Sequence, residues 1–129
     1  MKNKKYEIGF SRTYTEEDLL DIISVGVYDI GYWALIDNTT EDWKRASESL
    51  PKNHTFEEVM LQLLKTGNCV VLEDVEDPDE SWSLTMENLL NGIKLTIEKG
   101  HWNGDVDELD GELGDIIYQY ALFNEIIFG

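Results

Sequence analysis

Four stretches of the chain repeat apolar residues at steps of three and four, which is the spacing of an amphipathic helix. Three of them span residues 15–28, 55–67 and 85–100, and each begins with a threonine that is suited to be the N-cap. The last stretch begins between Asp107 and Glu112 and reaches Ile127. The pattern therefore predicts about four helices, the last of them the most apolar.

Strands are predicted where apolar and polar residues alternate instead. A short first strand is predicted by the alternation at Tyr6, Ile8 and Phe10. A second strand opens at Cys69 and runs into the acidic segment 73–80, which contains the turn sequence Asp77-Pro78-Asp79. Residues 81–85 alternate again and return as the hairpin partner of that strand.

Two segments between these elements are less regular. Residues 31–36 are apolar and suit either a strand or a turn, because periodicity alone does not separate the two. Residues 37–54 are polar and irregular, with Trp43 and Leu50 as anchors to a core. The sequence as a whole predicts an α+β fold in a single domain, 1–129, with a small antiparallel sheet packed against about four helices.

The last predicted helix contains the most hydrophobic stretch of the chain, GDIIYQYALFNEIIFG, residues 114–129. It is shorter than the roughly 18 apolar residues that span a bilayer, and Gln119, Asn124 and Glu125 interrupt it. Its apolar residues fall on more than one side, which is typical of a central, buried helix or of one with a second face in a homodimer. We expect a central helix rather than a membrane anchor, and we expect deletion of residues 124–129 to unfold the protein.

Charge narrows the set of partners. The 129 residues include 27 acids against 10 lysines and arginines, a net charge of −17. This charge repels nucleic acid and anionic membranes and favours basic proteins as partners. A single cysteine, Cys69, and the lack of a secretory signal favour a reducing, cytoplasmic location, which would be that of a bacterial host cell.

Catalytic and metal-binding patterns are missing from the sequence. An EF-hand loop starting at Asp105 lacks the required residues at three of its positions, which leaves weak divalent-ion binding at 105–111 as an open alternative to a simple acidic helix start. His54, Cys69 and His101 do not have the spacing of zinc ligands, and no nucleophile elbow or phosphate-binding glycine loop occurs. We therefore expect no enzymatic activity, no cofactor and no bound metal.

Aromatic residues are candidates for ligand stacking. Tyr32, Trp33 and Trp102 are the candidates to stack on a nucleotide base, although packing in the core is the commoner role of such residues. For Trp33 and Trp82 we favour the core. Trp102, in a loop next to glycine and asparagine, is the best candidate for an exposed contact.

The acidic runs are the strongest remaining signal. The main run contributes six candidate partner-binding residues, Glu73, Asp74, Glu76, Asp77, Asp79 and Glu80. A second run contributes Asp105, Asp107, Glu108 and Asp110. Such runs are often only a solvated face, but rows of carboxylates can also imitate the phosphates of DNA and occupy a basic channel. Mimicry predicts binding that weakens steeply with salt.

Three segments resemble a widespread family of small, largely uncharacterised phage and prophage proteins. They are Gly31-Tyr32-Trp33, Leu84-Thr85 together with residues 89–95, and the final motif Gln119-Tyr120-Ala121-Leu122-Phe123-Asn124-Glu125-Ile126-Ile127-Phe128-Gly129. Relatives in that family often carry glycine where Asn124 stands and Glu-Gly-Gly where Val27-Tyr28-Asp29 aligns. If those glycines form a ligand-facing turn, this chain lacks it. The resemblance implies a phage accessory protein, and small non-enzymatic phage proteins are often counter-defence factors.

These observations lead to three hypotheses. The first is a phage-encoded inhibitor that binds a basic, nucleic-acid-binding host defence protein, in the manner of an acidic DNA mimic or an anti-CRISPR protein. The second is a sponge that sequesters a nucleotide immune signal by stacking it on Tyr32, Trp33 or Trp102. The third is a structural or regulatory phage protein whose charge only maintains solubility. None of them requires direct binding to nucleic acid or to a membrane.

Overall fold

A computed structural model describes residues 4–7 and 12–129. These residues form five α-helices and two small antiparallel sheets, so the predicted α+β class is confirmed. The elements are β1 (Lys5–Glu7), β2 (Thr13–Thr15), α1 (Glu16–Val27), a 3-10 turn (Ile30–Tyr32), β3 (Ala34–Ile36), α2 (Glu41–Glu48), α3 (Phe56–Lys65), β4 (Val70–Asp74), β5 (Ser81–Leu84), α4 (Met86–Glu98), a second 3-10 turn (Val106–Glu108) and α5 (Gly111–Phe123).

The larger sheet has the order β3-β4-β5, with both pairs antiparallel. Leu72 lies in the middle, opposite Ile36 on one side and Trp82 on the other. These residues and their alternate neighbours face the core, whereas Glu73 and its partners Leu35 and Ser81 lie on the outer face. The predicted hairpin of β4 and β5 is therefore confirmed, and segment 31–36 contains both of its alternatives, a turn and then a strand.

Threonine caps begin three of the helices as predicted. The side-chain oxygens of Thr15, Thr55 and Thr85 each accept a backbone N–H three residues further on, at 3.1 Å. The first two form complete capping boxes, in which the acid at the third position also accepts the N–H of the threonine. Each such cap satisfies helix N–H groups that would otherwise lack a partner, so the local sequence fixes where these helices start.

Helix α5 is the central helix, as expected, and packs against both α1 and α4. The contact with α1 is so close that Gly26 and Gly114 leave no room for a Cβ atom on either side. Tyr118 is fully buried there and donates its hydroxyl to the carbonyl of Ile23 at 2.9 Å, and burial raises its pKa. The apolar residues on more than one side of this helix are thus covered within one chain.

Three expectations about local structure need correction or lie outside the described residues. Helix α5 does not reach Ile127 but ends at Phe123, because Asn124 adopts the left-handed conformation with φ of 60°. Segment 37–54 is not irregular throughout, since it contains α2, which buries Trp43. The first predicted strand is described only at β1, which pairs with the unpredicted β2, and its positions 8 and 10 lie outside the described residues.

Candidate functional site

The main acidic run forms the tip of the β4–β5 hairpin. Backbone bonds close the tip, with the N–H of Asp74 donating to the carbonyl of Glu80 at 3.0 Å and that of Glu80 donating to the carbonyl of Asp77 at 2.9 Å. Two carboxylates stabilise the turn itself, because Asp74 accepts the N–H of Glu76 at 2.8 Å and Asp77 that of Asp79 at 3.2 Å. The turn therefore uses some of the acids structurally and leaves the side chains of the others to solvent.

Exposure and charge make this tip a concentrated negative surface. Glu76, Asp77, Asp79 and Glu80 are exposed, and Glu73 and Asp74 are half-buried. Among residues 4–7 and 12–129 the ion pairs are Arg45 with Asp42 and Lys65 with Glu16, so no hairpin acid is neutralised by a basic partner there. Six negative charges within eight residues are thus available to an external cation.

The second acidic run is organised differently. Asp105 accepts the N–H of Asp107 at 3.0 Å, and Asp110 is the N-cap of α5 and accepts the N–H of Leu113 at 2.8 Å. Arg12 also donates to the carbonyl of Gly104 at 3.1 Å, which places a positive charge beside this loop. The side chains of Asp107 and Glu108 are exposed and make none of these contacts. The second run is therefore a weaker negative surface than the hairpin.

Trp102 is not an exposed contact, so that expectation is wrong. Its side chain is only 6 % exposed, packs beside the ring of Tyr14 at 6.2 Å, and donates Nε1–H to the carbonyl of Asp105 at 2.9 Å. The hydroxyl of Tyr14 donates to the carbonyl of Gly104 at 2.7 Å, and burial raises its pKa to about 12. Trp102 thus anchors the 101–110 loop to β2 and has no free face for a base.

Trp33 belongs to the core, as favoured from the sequence, and is held by a buried carboxylate that the sequence analysis missed. Asp115 on α5 accepts the Nε1–H of Trp33 at 2.8 Å and the hydroxyl of Tyr32 at 2.6 Å. Tyr32 itself is about half exposed; burial of its hydroxyl, followed by the hydrogen bond to Asp115, raises its pKa to about 12. Of the three proposed stacking residues, only Tyr32 keeps an accessible ring.

Gln119, one turn after Asp115, attaches residues 124–129 to this network. Its Nε2 donates to Asp115 at 2.9 Å and to the carbonyl of Phe128 at 3.1 Å. Its Oε1 accepts the backbone N–H groups of Ile127 and Phe128, both at 2.8 Å. The ring of Phe128 then lies flat on Trp33, with centroids 4.8 Å apart and 9° between the planes. Two of the three segments that carry the phage resemblance, 31–33 and 119–129, therefore meet in one polar and aromatic contact.

A serine and a histidine that belong to no recognisable sequence motif also lie in contact. His54 faces the carbonyl of Pro51 through Nδ1 at 2.7 Å and the hydroxyl of Ser47 through Nε2 at 2.9 Å. With the proton on Nδ1, Nε2 accepts from the serine, which is the first element of a nucleophile–base pair. The third group is a neutral carbonyl and not the carboxylate that stabilises an imidazolium in such enzymes. We interpret the pair as a link that holds the loop after α2.

The described part of the chain contains no cluster of three or more His, Cys, Asp or Glu arranged to hold a metal ion. It also contains no helix with the length and apolar character needed to cross a bilayer. No family model, curated protein or solved structure matches the chain. The phage-family resemblance therefore stays a prediction, and a function has to be argued from the surface itself.

Proposed function

We propose that this protein is a phage-encoded, non-enzymatic inhibitor of a host defence system, which binds a basic, nucleic-acid-binding surface as an acidic DNA mimic. The observation that carries the proposal is the exposed hairpin tip, with six acids in eight residues and no basic partner in the described chain. A protein surface that binds DNA is built to neutralise such a row of charges. The anti-CRISPR class, in which the partner is a CRISPR nuclease, is one form of this function.

The arrangement of the acids supports a role for the hairpin in particular. The β-turn fixes its backbone, so the carboxylates of Glu73, Glu76, Asp79 and Glu80 are presented from a rigid element. The second run, at Asp105, Asp107, Glu108 and Asp110, has Arg12 beside it and would add a weaker contact. The nucleotide-sponge alternative is less favoured, because Trp33 and Trp102 are buried.

The test is a low-salt pull-down from host lysate, eluted first with duplex DNA and then with salt. The variant Glu73→Gln/Glu76→Gln/Asp79→Asn/Glu80→Gln removes four hairpin charges but keeps Asp74 and Asp77, which form the turn. A matched control, Glu48→Gln/Glu87→Gln/Glu98→Gln/Glu125→Gln, removes four exposed charges elsewhere. The proposal expects a basic protein that DNA displaces from the wild type and the control, and that the hairpin variant does not retain.

Exposed ion pairs contribute about 0.2–1 kcal/mol each, so loss of four should cost about 2 kcal/mol, or roughly 30-fold in affinity. Equal loss of the partner by the hairpin variant and the control would show that net charge and not the hairpin is responsible, and full retention by both would contradict the hairpin contact. If no basic protein is captured that DNA can displace, the structural or regulatory hypothesis takes first place.

A further inference from the structure

A groove with apolar walls lies beside the larger sheet. It has a volume of about 350 Å³ and is bounded by the end of α1, by β3 and by the start of α3. Three of its lining side chains are large and unusually exposed: Tyr28 at 77 %, Leu35 at 57 % and Phe56 at 37 %. The half-buried side chains of Val27 and Ile36 line it as well. An exposed apolar surface of this kind marks an interaction site.

Gly31 leaves one part of this groove open. It lines the groove and is exposed, and a Cβ atom built on it would meet no other atom within 4 Å. Its φ is not positive, so residues other than glycine can adopt its conformation. A larger side chain at this position would therefore occupy the open space without straining the backbone. The groove stays accessible because the residue there is a glycine.

Acidic groups lie at the rim of the groove, and none of its lining residues is basic. Glu57 accepts the hydroxyl of Tyr28 at 3.2 Å, and its negative charge raises the pKa of that hydroxyl. Asp37 is two residues after Leu35, which places it on the same side of the chain, and its N–H continues the pairing of β3 with β4. In the described residues neither carboxylate belongs to an ion pair, so both can receive a cationic group.

The groove also adjoins the acidic hairpin. Leu35, one of its walls, lies directly opposite Glu73 in the pairing of β3 with β4. Opposite residues in an antiparallel pair have Cβ atoms about 4.5–5.5 Å apart, so the two side chains are neighbours on the outer face of the sheet. One partner can therefore cover the groove and the hairpin together. An apolar centre with a charged rim is also the usual anatomy of a protein–protein interface.

The exposed walls and the acidic rim together select the occupant. Pockets for small molecules bury most of the ligand, whereas the walls of this groove are largely open to solvent. A second copy of this chain has a net charge of −17 and would add its own acids to the rim, which disfavours it. An apolar side chain next to arginine or lysine on a protein surface suits both the walls and the rim.

We propose that the groove binds an apolar anchor side chain of the basic partner, flanked by arginine or lysine residues that contact Glu57 and Asp37. This inference rests on the proposed function only for assigning the groove and the hairpin to the same partner. The anchor packs between Tyr28, Leu35 and Phe56, as a side chain at the centre of an interface does, and its basic neighbours meet the carboxylates at the rim.

The probe is the blocked tripeptide Arg-Phe-Arg, titrated into the isotope-labelled protein and followed by NMR. We expect the signals of Gly31, Leu35 and Phe56 to shift, with nuclear Overhauser contacts between the phenylalanine ring of the probe and the methyl groups of Leu35. Two control peptides separate the contributions: Arg-Gly-Arg keeps the charge without the anchor, and Glu-Phe-Glu keeps the anchor with the opposite charge. Each should bind at the groove about tenfold more weakly than the probe, or less.

A pair of substitutions at Gly31 tests the groove itself. Gly31→Leu places a large side chain in the open space, and Gly31→Ala adds only a methyl group there. The leucine variant should weaken probe binding about tenfold or more, and the alanine variant by less than about threefold. Urea unfolding checks that both variants keep the fold. The control peptides act on the wild-type protein, so the proposal stays falsifiable if a variant folds poorly.

A second pair of substitutions tests the rim. Glu57→Gln removes the charge but keeps an oxygen that can accept the hydroxyl of Tyr28. Its matched control is Glu87→Gln, because both acids occupy the second position of a helix with a threonine cap. The first should weaken probe binding about two- to fivefold, and the second should leave it unchanged.

The proposal is overturned if the shifts are confined to residues 73–80, if either control peptide binds as well as the probe, or if Gly31→Leu binds the probe like the wild type. A stable dimer in which Tyr28 and Leu35 are covered would also overturn it. Its failure is distinct from failure of the proposed function. Probe binding in the groove without any DNA-displaceable partner removes the DNA-mimic proposal, whereas a DNA-displaceable partner without probe binding removes only the groove.

Discussion

Replacement of Gln119 by methionine tests how residues 124–129 are attached. Gln119 is 1 % exposed and makes four hydrogen bonds, two from Nε2 to Asp115 and Phe128 and two to Oε1 from Ile127 and Phe128. Methionine fills a similar volume and makes none of them. A hydrogen bond contributes about 0.5–1.5 kcal/mol net, so four amount to about 2–6 kcal/mol.

The lower half of that range is expected, because the freed N–H groups of Ile127 and Phe128 can reach water if the segment detaches. Asp115 also keeps Trp33 and Tyr32 as donors. A loss of about 3 kcal/mol, with a urea dependence of about 2 kcal/mol per M, lowers the unfolding midpoint by about 1.5 M.

Urea unfolding and hydrogen exchange are the measurements, with Gln62→Met as the control. Gln62 is half-buried and makes one side-chain bond, to the hydroxyl of Ser49 at 3.3 Å, so its replacement should cost less than about 1 kcal/mol. In Gln119→Met, the amides of Ile127 and Phe128 should exchange faster than in the wild type. Unchanged stability together with unchanged exchange at these two amides would refute the account of the attachment.

Two further predictions concern backbone and pH. Asn124 has φ of 60° and accepts a 2.9 Å hydrogen bond from Asn91. Asn124→Gly loses this bond but relieves the backbone strain, so it should change the unfolding free energy by less than about 1 kcal/mol. Asn124→Ala loses the bond and keeps the strain, so it should cost about 1–2 kcal/mol in urea titrations, and equal losses for the two variants would contradict this. Tyr14 keeps its proton in the fold until a pKa of about 12, while the unfolded chain loses it near 10.0. Tyr14 should therefore leave stability unchanged below about pH 10 and lower it between pH 10 and 12, by about 3 kcal/mol. Tyr14→Phe should flatten that part of the curve, and parallel curves for the two proteins would show that Tyr14 does not contribute.

Local chemistry explains which elements the sequence predicts well. Thr15, Thr55 and Thr85 cap helices with their own side chains, and the hairpin turn at 77–79 uses the neighbouring carboxylates, so a few consecutive residues carry the information. Helix α2 carried the same signal, a threonine cap followed by two acids, but only two of its residues, Trp43 and Ala46, are buried. Its apolar pattern was too sparse for periodicity to detect.

The buried network depends on contacts between distant parts of the chain. Asp115 and Tyr32 are 83 residues apart, and no local pattern pairs them. A signal did exist, since Asp115 and Gln119 are polar residues four apart within an otherwise apolar helix, which places them on one face. The burial of Trp102 cannot be predicted locally for a similar reason, because Tyr14 on β2 covers it from 88 residues away. The acidic hairpin, by contrast, can be predicted from the run of acids around the turn at 77–79, although its exposure cannot.

Competition between DNA and this protein for one captured partner tests the central proposal most directly. DNA binding by that partner is measured by anisotropy at increasing concentrations of the wild-type protein, the hairpin variant and the matched charge control. The proposal predicts a purely competitive shift for the wild type and the control, which weakens steeply with salt, and a shift roughly 30-fold weaker for the hairpin variant. A ternary complex of partner, DNA and wild-type protein would contradict the claim that the acidic hairpin takes the place of nucleic acid.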